Sequence, residues 1–135
     1  AVFWPLLESV LKANHQVSPV HSLDEISKLA RLFPNHIKLF VAYKDEKVLA
    51  GCVIFEDTQV AHLQYLANSP EGRKNRALAL LIDHLISKEY VHKRYFDFGI
   101  STEHDGHSLN EGLIAQKEEF GACAVVHDFY EMEIL

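Results

Sequence analysis

Residues 59–90 read QVAHLQYLANSPEGRKNRALALLIDHLISKEY and predict a strand, a turn and a helix in succession. Gln59 to Leu66 is rich in strand formers, and positions 68–72 contain the turn residues Asn, Ser, Pro and Gly. From Arg76 to Tyr90 the apolar residues recur every three or four positions, which predicts a helix with one wide apolar stripe. We expect this helix to pack on a sheet that contains the preceding strand.

Three cations, Arg73, Lys74 and Arg76, lie where this helix begins. A helix N-terminus is the positive end of the helix dipole, so each cation there costs roughly 0.3–1 kcal/mol. A bound anion such as phosphate would remove that cost and accept hydrogen bonds from the first amides of the helix. The alternative is a solvated loop that tolerates the small penalty.

The composition is that of one globular domain spanning residues 1–135. Of the 135 residues 48% are hydrophobic and 24% charged, and the net charge is −6. This charge argues against a DNA-binding protein and against attraction to an anionic membrane, and no apolar run approaches 18 residues. Cys52 and Cys123 lie in apolar runs, so we interpret them as buried thiols of a cytoplasmic protein.

Two helices and a β-hairpin are predicted before residue 59. Residues 4–14 form the first helix, and Ser22 and Glu25 form a capping box that begins the second. Residues 38–43 and 48–55 are strands joined by a polar turn. Because both faces of the strand 48–55 are apolar, we expect it to be central in its sheet.

A strand, a helix and a final strand are predicted after residue 90. The strand 95–100 follows a helix, so we expect it to run parallel to the strand at 59–66. Ser108 and Glu111 suggest a second capping box for a helix ending near residue 120, and residues 122–135 have strand composition. The expected fold class is α/β (α+β), in the order ααβββαβαβ, with a mixed central sheet and helices on both faces.

This order of elements resembles the GNAT acyltransferase superfamily. In the superfamily the turn before the helix has the sequence motif Pro-x-x-Arg-x-x-Gly-x-Gly. Here Pro70 and Arg73 match the motif, while Arg76 and Leu78 occupy the glycine positions. The resemblance implies a sheet with splayed parallel strands at its centre and a donor that is acetyl-CoA or another acyl-CoA. The implied residues for the donor pyrophosphate are Arg73, Lys74, Asn75, Arg76, Ala77 and Leu78.

A second GNAT pattern, Asn-x-x-Ala-x-x-x-Tyr-x-x-x-Gly, matches at Asn110 and Gly121 and has Lys117 at the tyrosine position. By the resemblance, Asn110 contacts the arm of the donor. Lys117 would replace the tyrosine as the acid that protonates the departing thiolate, or as a positioning group.

The C-terminal part is similar to the FemAB-type peptidyltransferases, a branch with the GNAT fold. The strand Tyr95-Phe-Asp-Phe-Gly99, the pair Gly112-Leu113 and the helix end Lys117-Glu-Glu-Phe120-Gly121 carry this similarity. Those enzymes take amino acids from aminoacyl-tRNA in cell-wall synthesis and contain two GNAT-like halves. The similarity implies a tRNA-borne donor as the alternative to acyl-CoA, and a chain that is the C-terminal half of a longer protein. The apolar start of the first helix likewise favours a preceding domain or a homodimer.

The strand at 59–66 also supplies candidates for contact with an amine acceptor. Side chains alternate along a strand, so His62 and Gln64 are predicted on one face and Tyr65 on the other. In GNAT folds the acyl group and the amine meet beside this strand, which makes His62 the candidate base. The alternative for His62 is a packed, hydrogen-bonded histidine. The candidate substrate-binding residues are Gln64, Tyr65, Ser101 and Thr102.

Two other polar features receive structural interpretations. Asp97 lies inside an aromatic strand, where a carboxylate must be paired, and we expect it to bond a turn or a helix end. The alternative for Asp97 is a catalytic carboxylate. A loop contains four residues of metal-ligand type, but no further ligand follows at a recognisable spacing, and we expect no metal. The four are Glu103, His104, Asp105 and His107.

Two functions remain open from the sequence. The first is an acyltransferase that moves an acyl or aminoacyl group from a CoA thioester or an aminoacyl-tRNA to an amine. The second is a non-catalytic GNAT-like module for docking or ligand sensing, which the missing glycines and tyrosine favour. The cations at the helix start favour the enzyme, and this is our prediction.

Overall fold

A computed structural model describes residues 2–134, which fall into two compact units divided after Gly99. The second unit is small and contains β5 (Thr102–Glu103), β6 (Ser108–Leu109) and α5 (Glu111–Glu118). The first unit contains the main sheet and all the larger helices. Its elements are α1 (Trp4–His15), α2 (Leu23–Leu32), β1 (Ile37–Lys44), β2 (Lys47–Glu56), β3 (Val60–Asn68), α3 (Pro70–Lys74), α4 (Ala77–His84), a π-helical turn (Leu85–Glu89) and β4 (Tyr95–Asp97).

The first unit contains a mixed four-stranded sheet in the order β1-β2-β3-β4. The pairs β1–β2 and β2–β3 are antiparallel, whereas β3 and β4 are parallel. β2 is a central strand, buried on both faces from Leu49 to Ile54. The mixed sheet, the central position of β2 and the parallel neighbours β3 and β4 confirm the fold expected from the sequence.

Helices cover both faces of this sheet. On one face, Phe3, Trp4 and Leu7 at the start of α1 form a buried cluster with Val53 and Tyr65 of the sheet. Successive strand residues point to opposite faces, so Cys52 and Ile54 belong to the other face. α4 packs there, and it contributes the buried Leu78, Leu81 and Ile82.

The capping box predicted at α2 is confirmed. The Ser22 amide donates to Glu25 Oε2 at 2.7 Å, and the Glu25 amide donates to Ser22 Oγ at 3.2 Å. Two of the amides that a helix leaves unpaired at its start are thereby satisfied. The bond from the Ser22 amide, followed by one from the Ser22 hydroxyl at 2.8 Å, lowers the pKa of the Glu25 carboxyl.

One extra residue in β3 changes which side chains share a face. Val53 pairs with Tyr65, but the next residue of β2, Ile54, pairs with Leu63, so Gln64 is additional on β3. An inserted residue reverses the alternation beyond it. Tyr65 therefore lies on the same face as His62, the partner of Phe55, and the predicted separation of His62 from Tyr65 is wrong.

The C-terminal predictions are corrected in several places. Ser108 is in β6 rather than at a helix start; the N-cap of α5 is Asn110, whose Oδ1 accepts the Leu113 amide at 2.9 Å. Residues 122–134 contain no strand, so the last element of the predicted order is absent from the described part of the chain. Their apolar side chains are exposed, and strand composition forms a strand only when a partner covers it. Cys123 is exposed as well, whereas Cys52 is buried and burial raises the pKa of its thiol to about 12.

None of the helices within residues 2–134 has the length and apolar character needed to cross a bilayer.

Gly51 allows α1 to approach the sheet. A Cβ at this position would lie 2.5 Å from Phe3 Cδ2 and 2.9 Å from Val41 Cγ1. Since Phe3 is fully buried, its ring has little space to withdraw. We expect Gly51→Ala to lower the free energy of unfolding by about 1–3 kcal/mol through overpacking, measured by urea denaturation.

Gly112→Ala is the matched control, because a Cβ at Gly112 meets only Asn110 Oδ1, at an ordinary 3.7 Å. In helix α5 this change should be neutral or stabilising by roughly 0.5–1 kcal/mol. Equal stability of Gly51→Ala and the unmodified chain would contradict the packing assigned to Phe3.

Candidate active site

A histidine and a carboxylate meet where the β3–β4 pairing ends. His62 is the partner of Asp97 in the parallel register, and His62 Nδ1 lies 2.6 Å from Asp97 Oδ2. Both side chains are partly exposed, at 36% and 48%. A carboxylate on Nδ1 orients the ring and leaves Nε2 as the nitrogen that accepts a proton, the arrangement of a general base with its orienting group.

Asp97 also bends the chain away from β3. Its Oδ1 accepts the Gly99 amide at 2.8 Å, and Gly99 has a φ of +73°, a conformation that suits glycine. The bond to a turn predicted for Asp97 is confirmed, and the bond to His62 is additional. Pairs with β4 are made only by Val60, Ala61 and His62, so β3 continues to Asn68 without a β4 partner in the described chain.

α4 begins with amides that no side chain caps. Leu80 donates the first helical bond, to Arg76 O at 3.1 Å, so the amides of Ala77, Leu78 and Ala79 precede it. Arg76 occupies the N-cap position with φ 53° and ψ 31°, the left-handed region. The helix begins at Ala77 rather than at Arg76, and it directly follows the C-terminal end of β3 and the short helix α3.

The predicted anion-binding residues divide into two groups. Arg73, Lys74 and Arg76 are exposed, with Arg73 and Lys74 in the last turn of α3. Asn75 is exposed; its Nδ2 donates to Glu71 O at 2.9 Å, and its Oδ1 accepts from Lys44 Nζ at 3.4 Å. The side chains of Ala77 and Leu78 are buried, so these two residues offer only backbone amides to a ligand.

Two predicted substrate contacts on β3 differ in their surroundings. Tyr65 is 8% exposed and packs edge-on against Trp4, with ring centroids 5.4 Å apart. Its hydroxyl lies 2.6 Å from His21 Nδ1 and accepts the His21 amide at 3.2 Å. Gln64 is the extra residue of β3 and is half-buried.

Four predicted site residues belong to the second unit. The Lys117 ammonium donates to Ile100 O at 2.6 Å and to Ser101 Oγ at 2.9 Å. Thr102 pairs with Leu109 in the short β5–β6 ladder. Besides capping α5, Asn110 donates from Nδ2 to Glu103 Oε1 at 2.7 Å.

The loop with metal-ligand residue types is a tight turn. His104 and Asp105 have φ values of 52° and 55°, and His104 Nδ1 lies 3.2 Å from Ser108 Oγ. Among the described residues no group of three or more His, Cys, Asp or Glu is arranged to hold a metal ion.

Asp97 is the candidate site residue that the sequence placed second: a structural bond is favoured there over catalysis. Its contact with His62 is not predicted, because nothing in one sequence gives the register of two distant strands. The available signal was the prediction that the strands at 59–66 and 95–100 are parallel neighbours, which allows His62 and Asp97 to be compared as partners.

A protein-family model described as an acetyltransferase (GNAT) domain matches residues 2–106. The chain belongs to the GNAT acetyltransferase family. GNAT acetyltransferases are transferase enzymes, so the family identifies this domain as an enzyme and the resemblance inferred from the sequence is confirmed at this level. No curated protein matches the chain.

Solved GNAT structures share its fold. A possible acetyltransferase from Clostridium difficile 630 has a TM-score of 0.65 at 15% identity, over 98% of this chain and 90% of the other. The aminoglycoside acetyltransferase meta-AAC0020, from an uncultured soil metagenomic sample and solved with sisomicin, has a TM-score of 0.61 at 16% identity, over 96% of this chain and 88% of the other. AAC(6')-Iy, solved with the bisubstrate analogue CoA-S-monomethyl-acetylneamine, has a TM-score of 0.59 at 16% identity, over 98% of this chain and 92% of the other.

The family also explains the backbone at Arg76. GNAT proteins have glycine at this position of the turn, and the left-handed φ of 53° is a conformation that glycine adopts without penalty. This chain places an arginine there in the left-handed conformation. For an L-residue this conformation costs roughly 1–2 kcal/mol.

Arg76→Gly should therefore raise the free energy of unfolding. We expect a gain of about 0.5–1 kcal/mol, because relief of the left-handed strain exceeds the entropy lost by a more flexible residue. Urea denaturation followed by the fluorescence of Trp4, the one tryptophan, measures it. Arg73→Gly is the control: Arg73 is inside α3, and glycine there should destabilise by roughly 0.5–1 kcal/mol. Loss of stability in Arg76→Gly would contradict the strained conformation.

Proposed function

We propose that this GNAT domain transfers an acetyl or related acyl group from acyl-CoA to a primary amine, with His62 as the general base. The observation that carries the proposal is the 2.6 Å contact between His62 Nδ1 and Asp97 Oδ2 at the point where β3 and β4 separate. Neighbouring GNAT structures that contain a CoA bisubstrate analogue or sisomicin support the classes of donor and acceptor.

In the proposed reaction the amine nitrogen attacks the thioester carbonyl carbon. A C–N bond forms, the C–S bond breaks, and CoA leaves as a thiolate that must be protonated. His62 Nε2 takes the proton from the amine, and Asp97 stabilises the imidazolium through Nδ1. We assign the proton for the thiolate to Lys117 or to solvent.

The donor phosphates are proposed to bind at the N-terminus of α4. There the amides of Ala77 and Leu78 and the positive end of the dipole add to the charges of Arg73, Lys74 and Arg76. Asn68, at the end of β3, is about 20 Å from His62 at roughly 3.3 Å per residue of strand. The pantetheine arm would span this distance along the edge of β3 that β4 leaves unpaired.

The remaining candidates keep more limited roles. Asn75, beside the cations, is proposed to contact the donor, and Gln64 the acceptor. The predicted contacts of Asn110 with the donor arm, and of Ser101 and Thr102 with the substrate, stay predictions. These three residues already make local hydrogen bonds or strand pairs, and a ligand would have to bind in addition to those partners. Tyr65 is buried against Trp4 and bonded to His21, so its proposed role is to support the site by packing rather than to contact the substrate.

The FemAB-like branch supplies the alternative donor, an aminoacyl-tRNA. Both donors carry phosphates, so the cations at α4 would serve either of them. We propose acyl-CoA as the donor and a cytoplasmic location, with the chain acting as one GNAT-like domain or as half of a longer protein. Titration with CoA and with an aminoacyl-tRNA mimic distinguishes the donors.

His62→Ala should reduce kcat/KM for acetyl transfer by about 10²- to 10⁴-fold, the usual effect of losing a general base. Asp97→Asn should cause a smaller loss. The dissociation constant for acetyl-CoA should be unchanged in both variants, because the donor phosphates bind at the other end of β3. The control is His92→Ala, an exposed histidine outside the site. Full activity in His62→Ala would rule out His62 as the base.

Arg73→Ala combined with Arg76→Ala should weaken CoA binding by about 10- to 100-fold. Charge-assisted hydrogen bonds contribute roughly 1.5–3 kcal/mol each, less when exposed to solvent. Isothermal titration calorimetry measures the change. Folding should be nearly unaffected, because two cations leave the positive end of the helix dipole. Lys88→Ala is the control, an exposed cation beyond the C-terminal end of α4. CoA affinity that does not depend on the two arginines would exclude this donor site.

A further inference from the structure

A cleft of about 450 Å³ lies beside His62 on the sheet face that carries α2. The end of α2, the start of β1 and the β2–β3 connection form its walls. Most of the lining is apolar, from the side chains of Phe33, Ile37, Phe55 and Val60. A volume of this size is in the range of sites for small molecules. His62 and Val60 alternate with Ala61 on β3, so both face the cleft.

The buried acidic residue of the cleft, Glu56, is already paired. Glu56 is 6% exposed, and its carboxylate binds Lys38 at 2.5 Å and Lys93 at 3.3 Å. Burial alone would raise the pKa of Glu56, but the hydrogen bonds and charges of the two lysines outweigh it and hold the pKa below its usual value. This carboxylate is therefore ionised and neutralised by the protein itself.

Asp57 and His36 also make hydrogen bonds within the protein. Asp57 Oδ1 accepts the amides of Val60 and Gln59, at 2.8 and 2.7 Å, and these bonds lower the pKa of its carboxyl. His36 Nδ1 donates to Glu56 O at 2.8 Å. Both lysines pair with Glu56, and Lys93 also donates to the backbone carbonyl of Asp57. The charges of the two lining carboxylates are thus matched by those of Lys38 and Lys93, which gives a polycation no net negative charge in this lining.

We propose that this cleft holds the carbon skeleton of the acceptor, and that the acceptor is a small primary amine with a single apolar group, either aromatic or aliphatic. The inference rests on the proposed function, because it takes His62 as the base that receives the amine proton. An apolar group between Phe33, Phe55 and Val60 would place a short aminoalkyl chain at His62. A polycationic acceptor would have to desolvate its extra charges in a mostly apolar lining whose buried carboxylate, Glu56, is already paired with two lysines.

The test compares two primary amines, 2-phenylethylamine and spermidine, as acceptors with acetyl-CoA. We expect kcat/KM to be at least about 10-fold higher for 2-phenylethylamine, since its ring is buried in the cleft. A higher kcat/KM for spermidine would overturn the acceptor class while leaving acetyl transfer itself intact.

Two variants test the location. Val60→Phe fills the cleft, and Phe33→Ala removes one wall at a half-exposed position without touching the core. Each should raise the dissociation constant for 2-phenylethylamine about 10-fold by calorimetry, with that for acetyl-CoA unchanged. Val91→Phe is the matched control at an exposed valine outside the cleft, and it should change neither constant.

Binding is measured separately from turnover so that the two proposals can fail independently. If 2-phenylethylamine binds and both cleft variants weaken its binding, the inference is supported even when no amine is acetylated. Failure to acetylate any amine would overturn only the proposed function. Absence of binding to the unmodified protein, or binding equally strong in Phe33→Ala and the unmodified protein, overturns the inference.

Discussion

The parallel pairing of β3 with β4 is the constraint on which the candidate site depends. Three residue pairs hold the strands together, and the last of them, His62 with Asp97, is also the 2.6 Å side-chain contact. The same aspartate accepts the Gly99 amide and bends the chain away. One carboxylate therefore lies at the end of the ladder, orients the histidine and leaves the rest of this edge of β3 without a strand partner among residues 2–134. The candidate base and the start of the unpaired edge of β3 lie at the same place because Asp97 takes part in both.

The extra residue of β3 extends this organisation to the opposite edge of the strand. If Gln64 were paired regularly, Tyr65 would lie opposite Cys52 and point away from the face that carries α1 and α2. Because Gln64 is bulged out of the pairing, Tyr65 lies opposite Val53 and packs on Trp4, in the same layer that His62 borders. The packing of α1 and the position of the candidate base are thus connected through β3, by Tyr65, the bulged Gln64 and His62. A change at Trp4 or Tyr65 would act on the site through this layer, without any contact with a substrate.

The sequence predicted what depends on local chemistry. The Ser22–Glu25 capping box and the hairpin between β1 and β2 formed as expected, because each is decided by neighbouring residues. Ser108 failed as a cap because Asn110 offers a competing side-chain acceptor two residues later. The strand predicted at 122–135 failed within residues 122–134 because strand composition does not itself supply a partner. The His62–Asp97 contact depends on the register of strands 35 residues apart, which no local pattern records.

Arg76 connects the departure from the family motif with the proposed donor site. The position keeps the left-handed backbone that glycine would adopt freely, at a cost of roughly 1–2 kcal/mol for an arginine. It also puts a cation at the positive end of α4, which adds a second, smaller penalty in the absence of a ligand. A phosphate at the proposed donor site would remove the second penalty and give the arginine a partner, whereas the left-handed strain is the same with or without a ligand. Only the charge penalty therefore distinguishes the proposed anion site from a solvated turn.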